Sequence, residues 1–254
     1  MGLSPMIESN CQAADVRSKA NTVQGFFDRT DRYLTNNGNI EIRRKVVKDL
    51  VGEIRNSRIL DLGCGDGSIS QQFLASSISL TLVDTSQKML DVARSQTPSE
   101  LRANVEYVNE DSSQYQSPSK YDLVLCLGLL AHVDSVESAI RNIAKLLKVE
   151  GRCVLQITDA DRTLGKLTGA YCNLRNHVNN RYPRSMNRTG MESISALAAR
   201  FNMRCVAERR YAGLLPGMGR LPLDWRRRFQ LLTLDTAWLS KHCSEAILLF
   251  TKTV

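Results

Sequence analysis

Short apolar runs alternate along this chain with amphipathic stretches, and this alternation predicts an α/β protein. Five runs in the first two thirds of the chain have the length and the leucine or β-branched content of buried strands. They cover residues 58–62, 78–83, 105–108, 121–127 and 153–158. Strands that alternate with helices build βαβ units. The pattern therefore predicts a doubly wound, largely parallel sheet.

The intervening stretches have helical periodicity. Helices are predicted over residues 40–54, 68–75, 86–95 and 136–147. In the last of them, Ile140, Ile143, Ala144 and Leu147 repeat with the 3.6-residue period of a helix packed on a sheet.

The pattern changes after Thr158. Residues 159–190 are polar and basic, and they are interpreted as an excursion from the core rather than another βα unit. Beyond them the pattern predicts a helix over 191–201, a strand over 203–211, a helix over 223–239 and a closing strand over 246–251.

Charge divides the chain in the same place. The 254 residues carry a formal net charge of +8. Residues 1–161 contain 18 Lys and Arg against 21 Asp and Glu, whereas residues 162–254 contain 16 against 5. The basic part is either a solvated face or a surface for an anion: an acidic small molecule, a carrier protein, nucleic acid or a membrane surface.

Cysteine content and apolar run length bear on the compartment. Seven cysteines without a C-x-x-C pair favour a reducing environment over a disulfide framework. The longest apolar run, residues 123–131, is too short to cross a bilayer, and residues 1–11 lack the features of a signal peptide. We therefore expect a cytoplasmic protein without a transmembrane segment. No metal is expected, because Cys172 with His177 and His242 with Cys243 lack a second ligand pair at zinc spacing.

The residues that indicate chemistry begin at the end of the first predicted strand. Gly63, Gly65 and Gly67 alternate after Asp61, which lets a backbone turn lie against a ligand. This spacing differs from the G-x-G-x-x-G of dinucleotide sites. Asp84 ends the second strand, where a carboxylate can accept hydrogen bonds from ribose hydroxyls. The alternatives are glycines that only shape a turn and an Asp84 that only caps the helix near Ser86.

These segments together resemble the class I S-adenosylmethionine-dependent methyltransferases, and in particular their small-molecule group. The resemblance covers residues 40–158. It rests on the motifs DLGCGDG (61–67), VDTSQKML (83–90), NEDS (109–112), YDLVLC (121–126) with LLAHV (129–133), and LLKVEGR (146–152). Glu110 and Glu150 stand where the family commonly has glycine. The resemblance implies a Rossmann-like, seven-stranded, mostly parallel sheet with an antiparallel last strand.

The resemblance also implies the cofactor, S-adenosylmethionine, with S-adenosylhomocysteine as product. Its glycine loop would hold the methionine part and ribose, Asp61 the amino group, Asp84 the ribose, and Asp111 with Ser112 the adenine edge. The implied cofactor-binding residues are Tyr33, Asp61, Gly63, Cys64, Gly65, Gly67, Asp84, Thr85, Met89, Asp111, Ser112 and Leu127. Residues 1–38, with Phe26, Phe27, Tyr33 and Gly38, resemble an N-terminal helical lid; a packed helix is the alternative. Residues 39–254 would form the methyltransferase domain, with 159–190 as a basic insertion on the substrate side.

The expected reaction is in-line transfer of a methyl group to oxygen or nitrogen of a small, anionic or carrier-bound molecule. His132, just beyond the fourth strand, is the candidate general base; the alternative is a structural histidine. The candidate substrate-binding residues are Tyr171, Arg175, His177, Arg181, Arg184 and Arg188. Two other functions stay open. One is an RNA methyltransferase that binds phosphates with Arg226, Arg227, Arg228 and the basic excursion. The other is a non-catalytic protein that binds S-adenosylmethionine.

Overall fold

A computed structural model describes residues 37–159, 161–179, 187, 189–212, 218 and 221–254, with the backbone alone for residues 37–39 and 172–179. The described chain forms a sheet of seven strands. The strands are β1 (Arg58–Leu62), β2 (Ser79–Asp84), β3 (Val105–Asn109), β4 (Tyr121–Cys126), β5 (Leu147–Thr158), β6 (Met203–Tyr211) and β7 (Glu245–Lys252).

The strand order places a crossover at the centre of the sheet. The order is β3-β2-β1-β4-β5-β7-β6. Strands β1 to β5 are parallel, and β7 runs antiparallel to both β5 and β6. The predicted seven-stranded, mostly parallel sheet with an antiparallel last strand is confirmed. Chain connections leave β1 and β4 in opposite directions across the sheet, which opens a crevice at their carboxyl ends.

Helices cover both faces of the sheet. They are α1 (Asn37–Val51), α2 (Gln87–Gln96), α3 (Val136–Leu146), α4 (Thr163–Asn179), α5 (Met191–Ala199), α6 (Leu223–Asp235) and α7 (Ala237–Ser240). Apolar side chains of α1, α2 and α6 belong to or pack against the core on one face, and those of α3 and α5 belong to the core on the other. This two-sided burial explains why the central strands are almost continuously apolar. No helix among the described residues has the length and hydropathy to cross a membrane.

Two predicted helices are wrong in detail. Residues 68–75 contain only a 3-10 helix, Gln71–Phe73. The segment is instead tied to a distant part of the chain, because Gln71 Nε2 donates to Ala93 O of helix α2 at 2.9 Å. The predicted helix over 223–239 is split at Thr236, whose backbone is extended.

The basic excursion contains a helix that the sequence did not predict. Helix α4 has 17 residues and lies inside residues 159–190. Gly165 and Gly169 lie within it, and glycine lowers intrinsic helix propensity. Helix α1 begins at Asn37, inside the predicted lid.

Candidate functional site

Three backbone segments meet at the carboxyl ends of the central strands. Gly63 follows β1, Asp84 ends β2, and Gly128 lies two residues beyond β4. The amides of Gly63 and Cys64 both donate to Val83 O, at 2.8 and 3.1 Å. The loop after β1 is therefore held to the end of β2 by backbone hydrogen bonds, and it forms one wall of the crevice.

The loop glycines are required by the backbone and by neighbouring side chains. Gly63, Gly65 and Gly67 have φ values of 71°, 55° and 69°, which side chains with a Cβ adopt only at a cost. A Cβ on Gly63 would lie 3.3 Å from Leu129 Cδ1, and one on Gly67 would lie 2.9 Å from Gln71 Nε2. At these two positions the glycine makes room for the protein itself. No α-helix N-terminus follows the loop, contrary to the sequence interpretation.

Asp84 connects the loop to the start of helix α2. Its Oδ2 accepts from the Gly65 amide at 2.8 Å, and its Oδ1 accepts from the Ser86 amide at 2.9 Å. Asp84 thus holds both the glycine loop and the turn that leads into helix α2. A carboxylate can accept about four hydrogen bonds, so this geometry is compatible with binding ribose hydroxyls.

An acidic cluster surrounds the loop. Asp61 and Asp66 are 3% and 4% exposed. Burial raises the pKa of Asp61 to about 7; a hydrogen bond from Ser70 opposes this, and the nearby charges of Asp84 and Asp66 add to it. A buried carboxylate beside other carboxylates favours a cationic ligand, such as an ammonium or sulfonium group. Sequence reasoning missed Ser70, because a turn serine has no distinguishing signal.

The cysteines near the crevice are unsuited to nucleophilic chemistry. Burial is the main cause that raises the pKa of the Cys64 thiol well above its usual value, and it raises that of Cys126 to about 12. Both side chains are buried. Because the thiolate is the reactive form, these residues act as small apolar side chains.

The comparison with known families identifies the region that carries this geometry. The model of the family described as "Methyltransferase domain" matches residues 60–153, which contain β1 to β4, the loop, Asp84 and the start of β5. Residues 60–153 are therefore similar to the methyltransferase domain family.

Sequence relatives match the same region. Ubiquinone biosynthesis O-methyltransferase of Pseudoalteromonas translucida is 33% identical over 109 residues, which is 42% of this chain and 46% of the relative. The protein of that name from Bordetella avium is 31% identical over 112 residues, 43% of this chain and 46% of the relative. The chain thus spans less than half the length of these relatives.

Solved structures share the fold over more of the chain. Magnesium protoporphyrin IX methyltransferase of Synechocystis PCC 6803, with bound S-adenosylhomocysteine, has a TM-score of 0.63 and 19% identity, covering 92% of this chain and all of the other. Burkholderia thailandensis 1,6-didemethyltoxoflavin-N1-methyltransferase has a TM-score of 0.58 and 16% identity, covering 100% of this chain and 92% of the other. Because the identities are below 25%, these structures show only a shared fold. That shared fold covers more of the chain than residues 60–153.

The predicted adenine-side residues of the methyltransferase domain differ in exposure. Met89 is fully buried and Ser112 is 8% exposed, while Thr85 and Asp111 are exposed. Asp111 Oδ1 accepts from the Ser113 amide at 2.8 Å. Their contacts with a cofactor stay predictions.

The loop after β4 carries Leu127 and His132. Leu127 is buried, and Gly128 has a φ of 78°. Asn187, from the basic excursion, donates its amide side chain to Leu130 O (3.1 Å) and Val133 O (2.6 Å). Its backbone amide donates to Ala131 O at 3.0 Å. Asn187 thereby fastens the excursion to the loop that holds His132, a role that sequence reasoning missed.

A polar group of side chains lies at the same edge of the sheet, beside Gly128. A Cβ built on Gly128 would lie 3.8 Å from Arg43 Nη1, and Arg43 is hydrogen-bonded to Tyr211. Gln156 Nε2 donates to Tyr211 Oη (3.3 Å) and to Glu245 Oε2 (2.8 Å). Gln156 Oε1 is buried without a hydrogen-bond partner in the described part of the chain. Sequence reasoning missed this group because its members are far apart in the chain.

Among the remaining predicted site residues, the structure describes the side chain of Tyr171 alone. Tyr171 lies in helix α4 and is 37% exposed. For Arg175 and His177 only the helical backbone is described. The residues outside the described ranges are Phe26, Phe27, Tyr33, Arg181, Arg184 and Arg188.

Proposed function

We propose that this chain transfers a methyl group from S-adenosylmethionine to an oxygen or nitrogen atom of a small, anionic molecule. The observation that carries the proposal is the glycine loop held by Asp84 beside the buried Asp61. Transfer to oxygen is favoured, because the sequence relatives are named O-methyltransferases.

The acidic cluster fits the charge of this cofactor. Bound S-adenosylmethionine supplies an electrophilic methyl carbon on a sulfonium, together with an ammonium group. Asp61, with its raised pKa, would hold the ammonium group in its ionised form. Asp84 would accept the ribose hydroxyls, and Leu127 with Gly128 would line the sulfonium end. We keep the remaining predicted cofactor contacts as part of this proposal.

The protein's main task is to position the acceptor atom. The nucleophile must lie in line with the methyl carbon at about 3–3.5 Å, with water excluded. His132 would remove the proton when the acceptor is a hydroxyl group. Asn187, which binds the carbonyl groups on both sides of His132, would fix the loop for this step.

An anionic acceptor is supported by cations on the acceptor side. Arg43 lies beside Gly128 and Tyr211. Burial raises the pKa of Tyr211 to about 12, so its hydroxyl stays protonated at neutral pH. Arg175, Arg181, Arg184 and Arg188 of the basic excursion remain the proposed outer contacts for a carboxylate, a phosphate or an acidic carrier. We also propose a cytoplasmic location, because seven cysteines without a C-x-x-C pair favour a reducing environment.

Methyl transfer can be measured with S-adenosylmethionine labelled in its methyl group. The acceptors are 3,4-dihydroxybenzoate, catechol as its match without the carboxylate, and total RNA. We expect label in 3,4-dihydroxybenzoate in preference to catechol. Label in RNA alone would instead support the RNA methyltransferase, and cofactor binding without transfer to any of them would favour the non-catalytic protein.

His132→Ala tests the proposed base in the same assay. We expect transfer to a hydroxyl acceptor to slow by about 10²–10⁴-fold, while the affinity for S-adenosylhomocysteine stays unchanged. His242→Ala is the matched control, because His242 is exposed and lies two residues beyond the end of helix α7. Equal rates in the two variants would remove His132 from the mechanism.

A further inference from the structure

Large apolar side chains are exposed on helices α6 and α7, which contact each other, and just before α6. They are Leu221, Leu223, Trp225, Leu232 and Trp238, here called the tryptophan surface. Trp225 and Trp238 are 66% and 68% exposed, and they are the two tryptophans of the chain. Single exposed apolar residues are ordinary, but a cluster of them marks an interaction surface.

The buried residues of helix α6 show which of its faces points to solvent. Gln230 and Thr233 are 1% and 2% exposed. Gln230 Nε2 donates to Ala212 O (3.2 Å), and Thr233 Oγ1 accepts from the Ala212 amide (2.9 Å). Trp225, Arg228 and Leu232 follow one another at spacings of three and four residues and therefore share the opposite, outward face.

Cations accompany the apolar side chains. Arg226, Arg227 and Arg228 lie between Trp225 and Leu232. Arg227 Nε pairs with Glu41 Oε2 at 2.9 Å, with both side chains about half exposed, so the pair is weak and exchangeable with other anions. Residues 221–242, which contain the two helices, carry four Lys and Arg against two Asp and Glu. The surface thus combines apolar area with a modest positive charge.

A second exposed segment adjoins Trp238. The Trp238 and His242 rings are in edge-to-face contact, with centroids 5.8 Å apart. His242 Nδ1 lies 3.3 Å from Thr163 Oγ1, at the start of helix α4. One turn further along α4, Leu167 is 62% exposed beside the exposed Lys166. The mixture of exposed apolar and basic side chains therefore continues from α7 onto α4.

We propose that the tryptophan surface docks the protein on a membrane that contains anionic phospholipid. Tryptophan prefers the interface between water and hydrocarbon, because its ring is apolar and its indole N–H is a hydrogen-bond donor. Arginines beside the tryptophans attract anionic head groups. Helix α6, which carries part of the surface, is fixed by its buried face to Ala212, just beyond the carboxyl end of β6. The proposal does not depend on the methyl transfer.

The two tryptophans make docking directly measurable. Tryptophan emission is followed while vesicles are added, either of phosphatidylcholine alone or of phosphatidylcholine with 30% phosphatidylserine, and co-sedimentation gives the partition coefficient. We expect a blue shift and co-sedimentation with the phosphatidylserine vesicles, and at least tenfold weaker partition into pure phosphatidylcholine. Failure to partition into the anionic vesicles would overturn the proposal, as would equal partition into both.

Variants separate the tryptophan surface from other exposed apolar residues. In co-sedimentation, Trp225→Ser with Trp238→Ser should weaken partition at least tenfold, and Arg228→Glu should weaken it several-fold. Val149→Ser with Val206→Ser is the matched control, since both valines are exposed elsewhere, and it should partition like the unchanged protein. Unchanged partition of the tryptophan variant would refute the surface, as would dimerisation through it without lipid binding or tighter binding to RNA than to vesicles.

Discussion

We call the described residues 37–158, with the glycine loop, the cofactor half, and the described residues from 159 onward the acceptor half. Each half buries a carboxylate, and the two carboxylates have opposite electrostatic surroundings. In the cofactor half, Asp61 is 3% exposed and lies near Asp66 and Asp84, and its pKa is raised to about 7. In the acceptor half, Asp159 is 1% exposed and forms an ion pair with the buried Arg210, at 2.8 Å between Oδ2 and Nη1.

The difference separates a ligand site from a structural anchor. Asp159 is compensated inside the protein, and Arg162 Nε adds a second cation at 3.4 Å, so it fixes the start of the basic excursion. The electrostatic environment of Asp61 instead disfavours its charge until a cation arrives. We interpret Asp61 as a site for a positively charged ligand. The charge of Asp159 is instead balanced by arginines of the protein itself.

The pH dependence of stability is the strongest test of this contrast. The folded pKa of Asp61 is raised, so its carboxyl group keeps its proton in the folded protein from about pH 4 to about pH 7 while the unfolded chain loses it. Stability must therefore fall as pH rises through that range, by on the order of 2–4 kcal/mol from this group. Urea unfolding at several pH values measures the slope.

Asp61→Asn removes the group that causes this slope. We expect the variant to lose less stability than the unchanged protein between pH 4 and pH 7. Asp91→Asn, at an exposed position of helix α2, serves as the control and should leave the slope unchanged. A slope that is the same in all three proteins would contradict the assignment to Asp61.

The next largest expected difference is between the losses of stability when Gly67 or Gly190 is replaced by alanine. Gly67 has a φ of 69°, and an added Cβ would meet Gln71, Leu82 and Ala93. Gly190 has an ordinary φ of −63°, and an added Cβ would clash with the end of the Asp161 side chain and reach Asp159 Oδ1 at 4.0 Å. Gly67→Ala should destabilise by about 2–3 kcal/mol.

Gly190→Ala should cost less than about 1 kcal/mol, because the exposed Asp161 can move aside. Chemical denaturation of both variants at one pH gives the comparison. Equal losses would mean that the cofactor loop is no more constrained than the excursion.

The smallest expected effect concerns Glu150, at the turn inside β5. Glu150 has a φ of 63°, which glycine adopts without strain. Glu150→Gly should therefore stabilise the protein by about 0.5–1 kcal/mol, whereas Glu150→Ala should give no gain. Thermal unfolding of the two variants distinguishes them, and a loss of stability in Glu150→Gly would show that the turn is not strained.

The sequence predicted the cofactor half well because its signals are local. Each of β1, β2 and β4 is a short apolar run whose last residue or following loop carries the functional group, as with Asp84. Glu150 was recognised as a departure from the family, and its left-handed backbone explains why glycine is common there.

The acceptor half was harder to predict because its contacts join distant segments. Asn187 reaches the loop after β4, and Arg43 reaches Gly128 and Tyr211 from helix α1. No sequence period connects such residues. The 3-10 helix after Gly67 escaped prediction for the same reason, since Gln71 bonds to a carbonyl of helix α2.

Calorimetric titration with S-adenosylhomocysteine tests the central claim most directly. The unchanged protein, Asp84→Ala and the control Asp91→Ala are compared, with circular dichroism to verify that each is folded. We predict micromolar affinity for the unchanged protein and the control, and at least tenfold weaker binding for Asp84→Ala, equivalent to about 1.4 kcal/mol or more. Absence of binding to the folded, unchanged protein, or equal affinity in all three, would contradict the assignment of this crevice as the cofactor site.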